Sequence, residues 1–227
     1  MVITIHQPEF MPWLGFLDKS SLADTLILLD NVQYNHKYFQ NRNKIKDVGG
    51  KGIWLNVPII RNGKTRNIGL IKDIKIDNTQ KWGKKILKTI EFNYNNSPYF
   101  TKYYPHLEEI FLQKWDLLVD LNIYIIKKAF EIFEIKTKIV RSSELNVEGV
   151  GEELILKLCK EYPTKQYISG PTGIAGRGKE YEPNFNKENI EVIYHSFEHP
   201  IYEQLNGPFI SHMAFIDKIF NKFNKTT

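Results

Sequence analysis

"VITIHQPEFMPWLGFLDKSSLADTLILLD", residues 2–30, decides the fold. Val2 to Ile5 is a short apolar run that stops at His6-Gln7-Pro8, and Thr25 to Asp30 is a second run, apolar at nearly every position. A run of that kind suits a strand of a parallel sheet covered on both faces. Between the two, "LGFLDKSSLA" (residues 14–23) has the apolar spacing of a short helix. The order strand, helix, strand predicts a β-α-β unit with a right-handed crossover.

Outward from that unit, residues 31–52 form a long polar stretch that ends near Gly49-Gly50. "GIWLNVPII" (52–60) reads as a strand. Asn62-Gly63 suits a hairpin turn, and "IGLIKDIKID" (68–77) follows as one or two strands. The sheet is therefore expected to carry an antiparallel part. Three helices come next: "QKWGKKILKTIEFNY" (80–94), with Asn78 or Thr79 as its cap, a region from Ser97-Pro98 to about Gln113, and "LLVDLNIYIIKKAFEIFEI" (117–135). They are expected to make a helical insertion at about residues 78–135. "KTKIVRSSEL" returns to strand, with Ser142 or Ser143 as a cap. "GEELILKLCKEY" is helix, "QYISG" a strand ending at Gly170, "GPTGIAGRGKEY" a glycine-rich loop, "IEVIYHSF" a strand and "HMAFIDKIFNKF" a closing helix. The expected class is α/β, with a central mixed, largely parallel sheet, flanking helices and that insertion, in a single domain over residues 1–227.

The balance of 42% hydrophobic and 25% charged residues is that of a globular protein. One cysteine, Cys159, excludes an internal disulfide and a cysteine zinc site. Its helical spacing with Leu154, Ile155 and Leu158 marks it as a small core hydrophobe. No basic-then-apolar leader and no span of ~18 apolar residues is visible, so a cytoplasmic protein without a membrane segment is expected. The net charge of +5 comes from lysines spread along the chain. That suits a phosphate-bearing small molecule, and no compact basic run or motif points to nucleic acid.

Ligands of open α/β sheets bind beyond the carboxyl ends of strands. His6-Gln7, Asp30-Asn31, Ser169-Gly170 and Glu198-His199 stand at such ends. His6 reads as a histidine pinned beneath its own loop or as a general base. Gln7 both donates and accepts, and Pro8 and Pro12 stiffen the loop. Glu9 ranks lower as a second acid/base group. In "DNVQYNHKYFQNRNKI" (30–45), Gln33, Gln40, Asn41, Arg42 and Lys44 stand beside Tyr34, Tyr38 and Phe39. The stretch reads as a solvated loop or as a nucleotide or sugar site in which Arg42 grips phosphate. The glycine-rich loop exposes backbone N–H groups, but Gly176-Arg177-Gly178 lacks the last glycine of G-x-G-x-x-G. In residues 197–217, His199, Tyr202 and Gln204 lie close together, Ser211 reads as a helix cap, and Asp217 is a buried orienter or a surface acid. His195 and His199 are spaced too irregularly for a metal site. No nucleophile elbow, H-E-x-x-H or kinase set is present. The residues alone give a polar pocket with two histidines, amides and an arginine, and no reaction.

"IHQPEFMPWLGFLDKSSLADTLILLDNVQYNHKYFQNRNKIK", "WLNVPI", "SPYF", "YISGPTG" and "FEHPIYEQ" followed by "FISHMAFIDKIFN" resemble the WbqC-like proteins in sequence and order, from Val2 to about Asn221. The H-Q-P…P-W-x-G and Q-N-R-N-K blocks are the most specific parts. The family's motif residues fall on His6, Gln7, Pro8, Pro12, Gly15, Asp30, Gln33, Gln40, Asn41, Arg42, Lys44, Gly170, His199, Pro200, Tyr202, Gln204, Ser211 and Asp217. The turn at Pro171-Thr172 departs from the family pattern. Such proteins occur among genes for bacterial O-antigen and other surface polysaccharides, and some are labelled glycine or aminoacyl transferases. The resemblance implies transfer of an acyl or aminoacyl group to the amine of a nucleotide-linked amino sugar. His6, His199 and Asp30 would be its catalytic residues. Gln7, Gln33, Gln40, Asn41, Arg42, Lys44, Tyr202 and Gln204 would bind substrate. It requires no cofactor beyond an activated donor, and allows an acyl or aminoacyl carrier and a homodimer as partners. Nucleotidyl transfer, or a non-catalytic module binding a nucleotide sugar or a pathway partner, are the alternatives.

Overall fold

The computed structural model describes residues 1–61, 68–170 and 182–222. The expected turn at Asn62-Gly63 and the glycine-rich loop from Pro171 onward lie outside the described residues. The chain divides into two compact units. One contains Met1–Pro8, Gly15–Val32 and Ile135–Glu198, and the other Glu9–Leu14, Gln33–Glu134 and His199–Thr227.

The first unit is built on a five-stranded sheet of β1 (Val2–His6), β2 (Thr25–Leu28), β5 (Lys138–Arg141), β6 (Gln166–Ser169) and β7 (Glu191–Tyr194). Its spatial order is β5-β2-β1-β6-β7, and every pairing is parallel. Counted along this sheet alone, the order is third-second-first-fourth-fifth. That is the doubly wound arrangement, in which the winding reverses between the first strand and the fourth. Alternation sends Ile3, Ile5, Ile27, Tyr167 and Val192 to one face. There they bury against Leu154, Leu158 and Cys159 of α5 (Gly151–Lys160) and Phe185 of α6 (Glu182–Lys187). Helix α1 (Leu14–Ser21) reaches the other face, where Phe16 meets His6 edge-on at 4.8 Å between ring centroids. Burial pushes the Cys159 thiol up to about 12, so it is an inert core group.

The second unit holds α2 (Trp82–Tyr94), α3 (Phe100–Phe111), α4 (Leu118–Phe133), α7 (Phe215–Asn221) and an antiparallel pair, β3 (Arg42–Lys46) with β4 (Gly52–Asn56). Helix α2 buries Trp82, Ile86, Leu87, Ile90 and Tyr94 and leaves Lys84, Lys85 and Lys88 exposed. At Gly83 the α3 backbone comes so near that a Cβ would stand 2.1 Å from Phe111 O, so only glycine fits.

The α/β class and the parallel sheet agree with the sequence. The antiparallel part is a separate sheet, and it pairs differently from expectation. β4 lies against residues 42–46, not against 68–77, which carry a 3-10 turn at Ile71–Asp73 and three isolated bridges, Leu70 to Gln33, Lys75 to Leu117 and Ile76 to Ile59. Polar side chains concealed β3. Buried Asn43 donates to Phe10 O (3.3 Å) and Met11 O (2.7 Å), and buried Lys46 to Gly207 O (3.1 Å) and Pro208 O (2.6 Å). The expected caps also differ. α2 starts after Lys81 with no side-chain cap, while Asn78 Oδ1 takes the Trp82 indole N–H at 3.2 Å. α7 starts after Ala214, again uncapped by a side chain, and Ser211 Oγ pairs instead with the His212 ring.

Candidate functional site at the strand ends

The winding reverses between β1 and β6, and doubly wound sheets bind ligands beyond the carboxyl ends of their strands at such a point. The strand register pairs Thr4 with Ile168 and Ser169 with Tyr194. Carried forward, it puts His6, Gly170 and His195 in one row across three adjacent strands. Neighbouring strands lie ~4.8 Å apart, so about 10 Å separates the first Cα from the last. The His195 N–H donates to Ser169 O at 2.9 Å, which holds the row together. Alternation points all three away from the Ile5, Tyr167 and Val192 face, towards α1.

His6 keeps some surface but is densely surrounded. Its Nδ1 lies 2.9 Å from Gln7 O. A carbonyl only accepts, so Nδ1 carries the proton and the lone pair is on Nε2. Burial, with Lys19 nearby, lowers its pKa to about 3 against the opposing Gln7 bond. The ring is neutral at pH 7 and a weak proton acceptor, better suited to holding a hydrogen-bonding group than to removing a proton.

Helix α1 contributes three groups to this row. Phe16 packs on His6. Asp18 Oδ2 accepts from His195 Nε2 at 2.6 Å. Lys19, almost wholly buried, donates from Nζ to Ile5 O at 3.3 Å. Sequence reading gave neither Asp18 nor Lys19 a role and weighed His195 only as a metal ligand. A carboxylate on one ring nitrogen fixes the imidazole's tautomer and orientation, the arrangement of a general base and its orienting partner. Ser169 is buried and its hydroxyl lies 3.3 Å from Gly170 O.

Asp30, expected as catalytic, is an anchor between two strand ends. Oδ2 accepts from Arg141 Nε (2.8 Å) and Ser143 Oγ (2.8 Å), and Oδ1 from Ser143 N (2.9 Å), with Ser142 Oγ 3.1 Å away. The side chain has no exposed surface. It ties the end of β2 to the end of β5.

The remaining candidates lie in the second unit, and several are occupied by the fold. Gln40 Oε1 accepts from Asn35 N (3.0 Å) and its carbonyl from Asn122 Nδ2 (2.7 Å). Asn41 bridges the Tyr34 hydroxyl (2.8 Å) and Val57 O (2.9 Å). Exposed Gln33 donates to Gly69 O at 2.8 Å. Arg42 and Lys44, two residues apart on β3, lie 4.5 and 4.9 Å from the ring of half-exposed Trp54. Tyr202 and Gln204 converge on Asp217. Its Oδ1 takes Tyr202 OH (2.8 Å) and Gln204 Nε2 (2.7 Å), and its Oδ2 takes Tyr94 OH (2.6 Å). Burial raises the Asp217 pKa against these bonds and the Lys46 charge, and also raises both tyrosines. Asp217 is thus the buried orienter. Tyr94 and Lys46, its distant partners in sequence, were not foreseen. His199 donates from Nδ1 to Pro200 O (3.0 Å) among Tyr202, Phe209 and His212, and desolvation lowers its pKa. His6 and His199 therefore belong to different units.

A groove of about 780 Å³ in the second unit is lined by Val48, Ile53, Lys81, Lys84, Lys88 and Phe92, among others. It includes none of the residues singled out above, and its lysines stand on the solvent face of α2. Among the described residues, no group of three His, Cys, Asp or Glu side chains is placed to hold a metal, and no helix is long and apolar enough to cross a membrane.

The chain is similar, at 27% identity over 221 residues, to the uncharacterized protein Rv1507c of Mycobacterium tuberculosis, covering 96% of this chain and 93% of that protein. No solved structure matches it. The model of the WbqC-like protein family matches residues 7–227, which begins within the strand-end block and runs through the Asp217 cluster. The chain belongs to the WbqC-like protein family.

Proposed function

We propose that this protein is an enzyme of bacterial surface-polysaccharide (O-antigen) biosynthesis that transfers an acyl or aminoacyl group, such as glycyl, to the amine of a nucleotide-linked amino sugar. The single observation that supports it most is the row His6, Gly170, His195 at the reversal point of the sheet, with Asp18 behind His195. In such a transfer the sugar amine attacks the carbonyl of an activated ester or thioester donor. The new C–N bond forms, the bond to the leaving group breaks, and one nitrogen proton must go to a base. His195, oriented by Asp18, is that base. His6 Nε2 accepts a hydrogen bond from the sugar, and the Gln7 amide donates to the oxygen that gains charge. Asp30 keeps β2 and β5 in place beside them.

The test is a mass gain on an amino-sugar nucleotide incubated with the protein and candidate activated amino acids. His195→Gln and Asp18→Asn should each lower that rate by roughly a hundredfold or more, the usual worth of acid–base catalysis. Wild-type rates in both variants remove His195 as the base, and no gain with any donor removes the acyl-transfer reading.

One observation favours a second reading, nucleotidyl transfer to a sugar or small molecule. The doubly wound order has its switch point at β1 and β6, the place where sheets of this kind bind nucleotides. Pyrophosphate release from a nucleoside triphosphate identifies it. Stabilisation by a nucleotide sugar with no turnover identifies a binding module.

A further inference from the structure

The groove of about 780 Å³ in the second unit has two unlike walls. One is the solvent face of α2. Lys81, Lys84, Lys85 and Lys88 stand along it at three- and four-residue spacing, and Phe92 continues the stripe one turn further. From Lys81 to Phe92 the stripe runs about 17 Å. The other wall is the turn between β3 and β4 with the start of β4, which contribute Val48 and Ile53. Phe92 is 67% exposed and Val48 50%. The walls are tied to each other. Buried Asn93 of α2 accepts from Val48 N through Oδ1 (2.9 Å) and donates from Nδ2 to Thr89 O (2.7 Å). The Lys46 N–H donates to Tyr94 OH at 2.9 Å, and Asp47 Oδ1 closes the turn by accepting from Lys51 N at 2.7 Å. A groove held open in this way costs little ordering when something enters it. The charge on the α2 wall is unbalanced. The helix has no acid in its first turn, and no ion pair among the described residues includes any of the four lysines. Like charges three and four apart oppose the helix that carries them.

We infer that this groove is a docking site for an acidic, amphipathic helix of a partner protein. An exposed apolar surface rimmed by charge marks an interaction site, and a helix laid in a groove presents an apolar stripe flanked by polar groups. The partner's apolar side chains meet Val48, Ile53 and Phe92, and its carboxylates meet the lysine stripe. A flat bilayer does not enter a groove, and a nucleic-acid backbone makes no use of an aliphatic wall. The inference stands apart from the transferase reading and survives its failure.

The probe is a fluorescein-labelled peptide of about four helical turns, built from Glu, Ala and Leu, with its leucines on one face and glutamates beside them. A scrambled peptide of the same composition is the control. Binding is read by fluorescence anisotropy at physiological ionic strength for wild type, Lys84→Glu with Lys88→Glu, and Phe92→Ala. Lys114→Glu with Lys127→Glu makes the same change of net charge outside the groove. All the exchanged side chains are exposed, and thermal melts check that each variant is folded. Wild type should bind the amphipathic peptide roughly tenfold more tightly than the scrambled one. Lys84→Glu with Lys88→Glu should weaken it by roughly tenfold or more, Phe92→Ala by roughly threefold or more, and the control pair should bind within about twofold of wild type. The inference falls if wild type does not bind the peptide, if the scrambled peptide binds equally well, or if the groove variants bind as wild type. It also falls if the control pair loses as much as the groove pair. Tighter binding through Lys84 and Lys88 to phosphatidylglycerol vesicles, or to a single-stranded RNA oligonucleotide, overturns it in favour of a membrane or nucleic-acid surface.

Discussion

The strand-end row and the Asp217 cluster are both dense in polar side chains, and they use them in opposite ways. At Asp217 each neighbouring polar group serves a residue of the same unit. Two phenols and an amide converge on one carboxylate, and Lys46 holds the carbonyls of Gly207 and Pro208. Such a knot fixes an irregular, bent segment, residues 199–214, onto α7. At the strand ends, by contrast, an Asp–His pair, a weakly basic histidine and a buried ammonium gather where the winding of the sheet reverses. Polar density alone does not mark a site. What distinguishes the two regions is where they stand: one gathers on a single buried carboxylate, the other at the point where the winding of the sheet reverses.

The contrast breaks most easily at Asp217. Asp217→Ala strips Tyr94, Tyr202 and Gln204 of their acceptor, and should lower stability by about 3 kcal/mol or more in urea unfolding. A cost below ~1 kcal/mol means the knot is not structural. The next effect is on pH dependence. Unfolded His6 titrates at the ordinary 6.5 and folded His6 near 3. Between those values the unfolded chain binds the extra proton, so stability falls as pH drops through that window and is fully present above it. His6→Gln should flatten that limb of the curve, and an unchanged limb would place the ring in ordinary solvent. Asn41→Ala should cost about 1–2 kcal/mol by orphaning Tyr34 OH and Val57 O, without altering nucleotide-sugar affinity. The smallest effect belongs to Arg42→Gln at the half-buried start of β3, within ~0.5 kcal/mol of wild type. A larger loss of ligand affinity than of stability there would return β3 to the site.

The parallel sheet was legible because its strands are short apolar runs ended by turn residues. So were α1, α2 and α4, whose buried stripes recur at helical spacing. Strand β3 was not, because its inward positions include Asn43 and Lys46, which break the apolar alternation while remaining buried. α6 is six residues long and offers little period to read. His6 and Gly170 were placed correctly at strand ends by a rule that needs no coordinates. The Asp18–His195 pair required the strand order, since 177 residues separate its members. Lys19 reads in sequence as an ordinary polar residue of an amphipathic helix, and its burial shows only in the folded chain. Asp30, Gln40 and Asn41 were credited with chemistry because carboxylates and amides look alike in sequence whether their partners are a ligand or a backbone carbonyl.

The central position of β1 also governs how the chain reaches its native state. β2 follows within a few turns of chain and can pair at once, but the other edge of β1 waits for β6, as the Thr4 hydroxyl waits for Ile168 O across 164 residues. Until then one side of an apolar strand is a bare hydrogen-bonding edge, open to wrong partners. Closure over so long a loop is slow. Refolding should therefore be slower and more prone to aggregation than the helical content suggests, with the β1–β6 pairing among the last features to form.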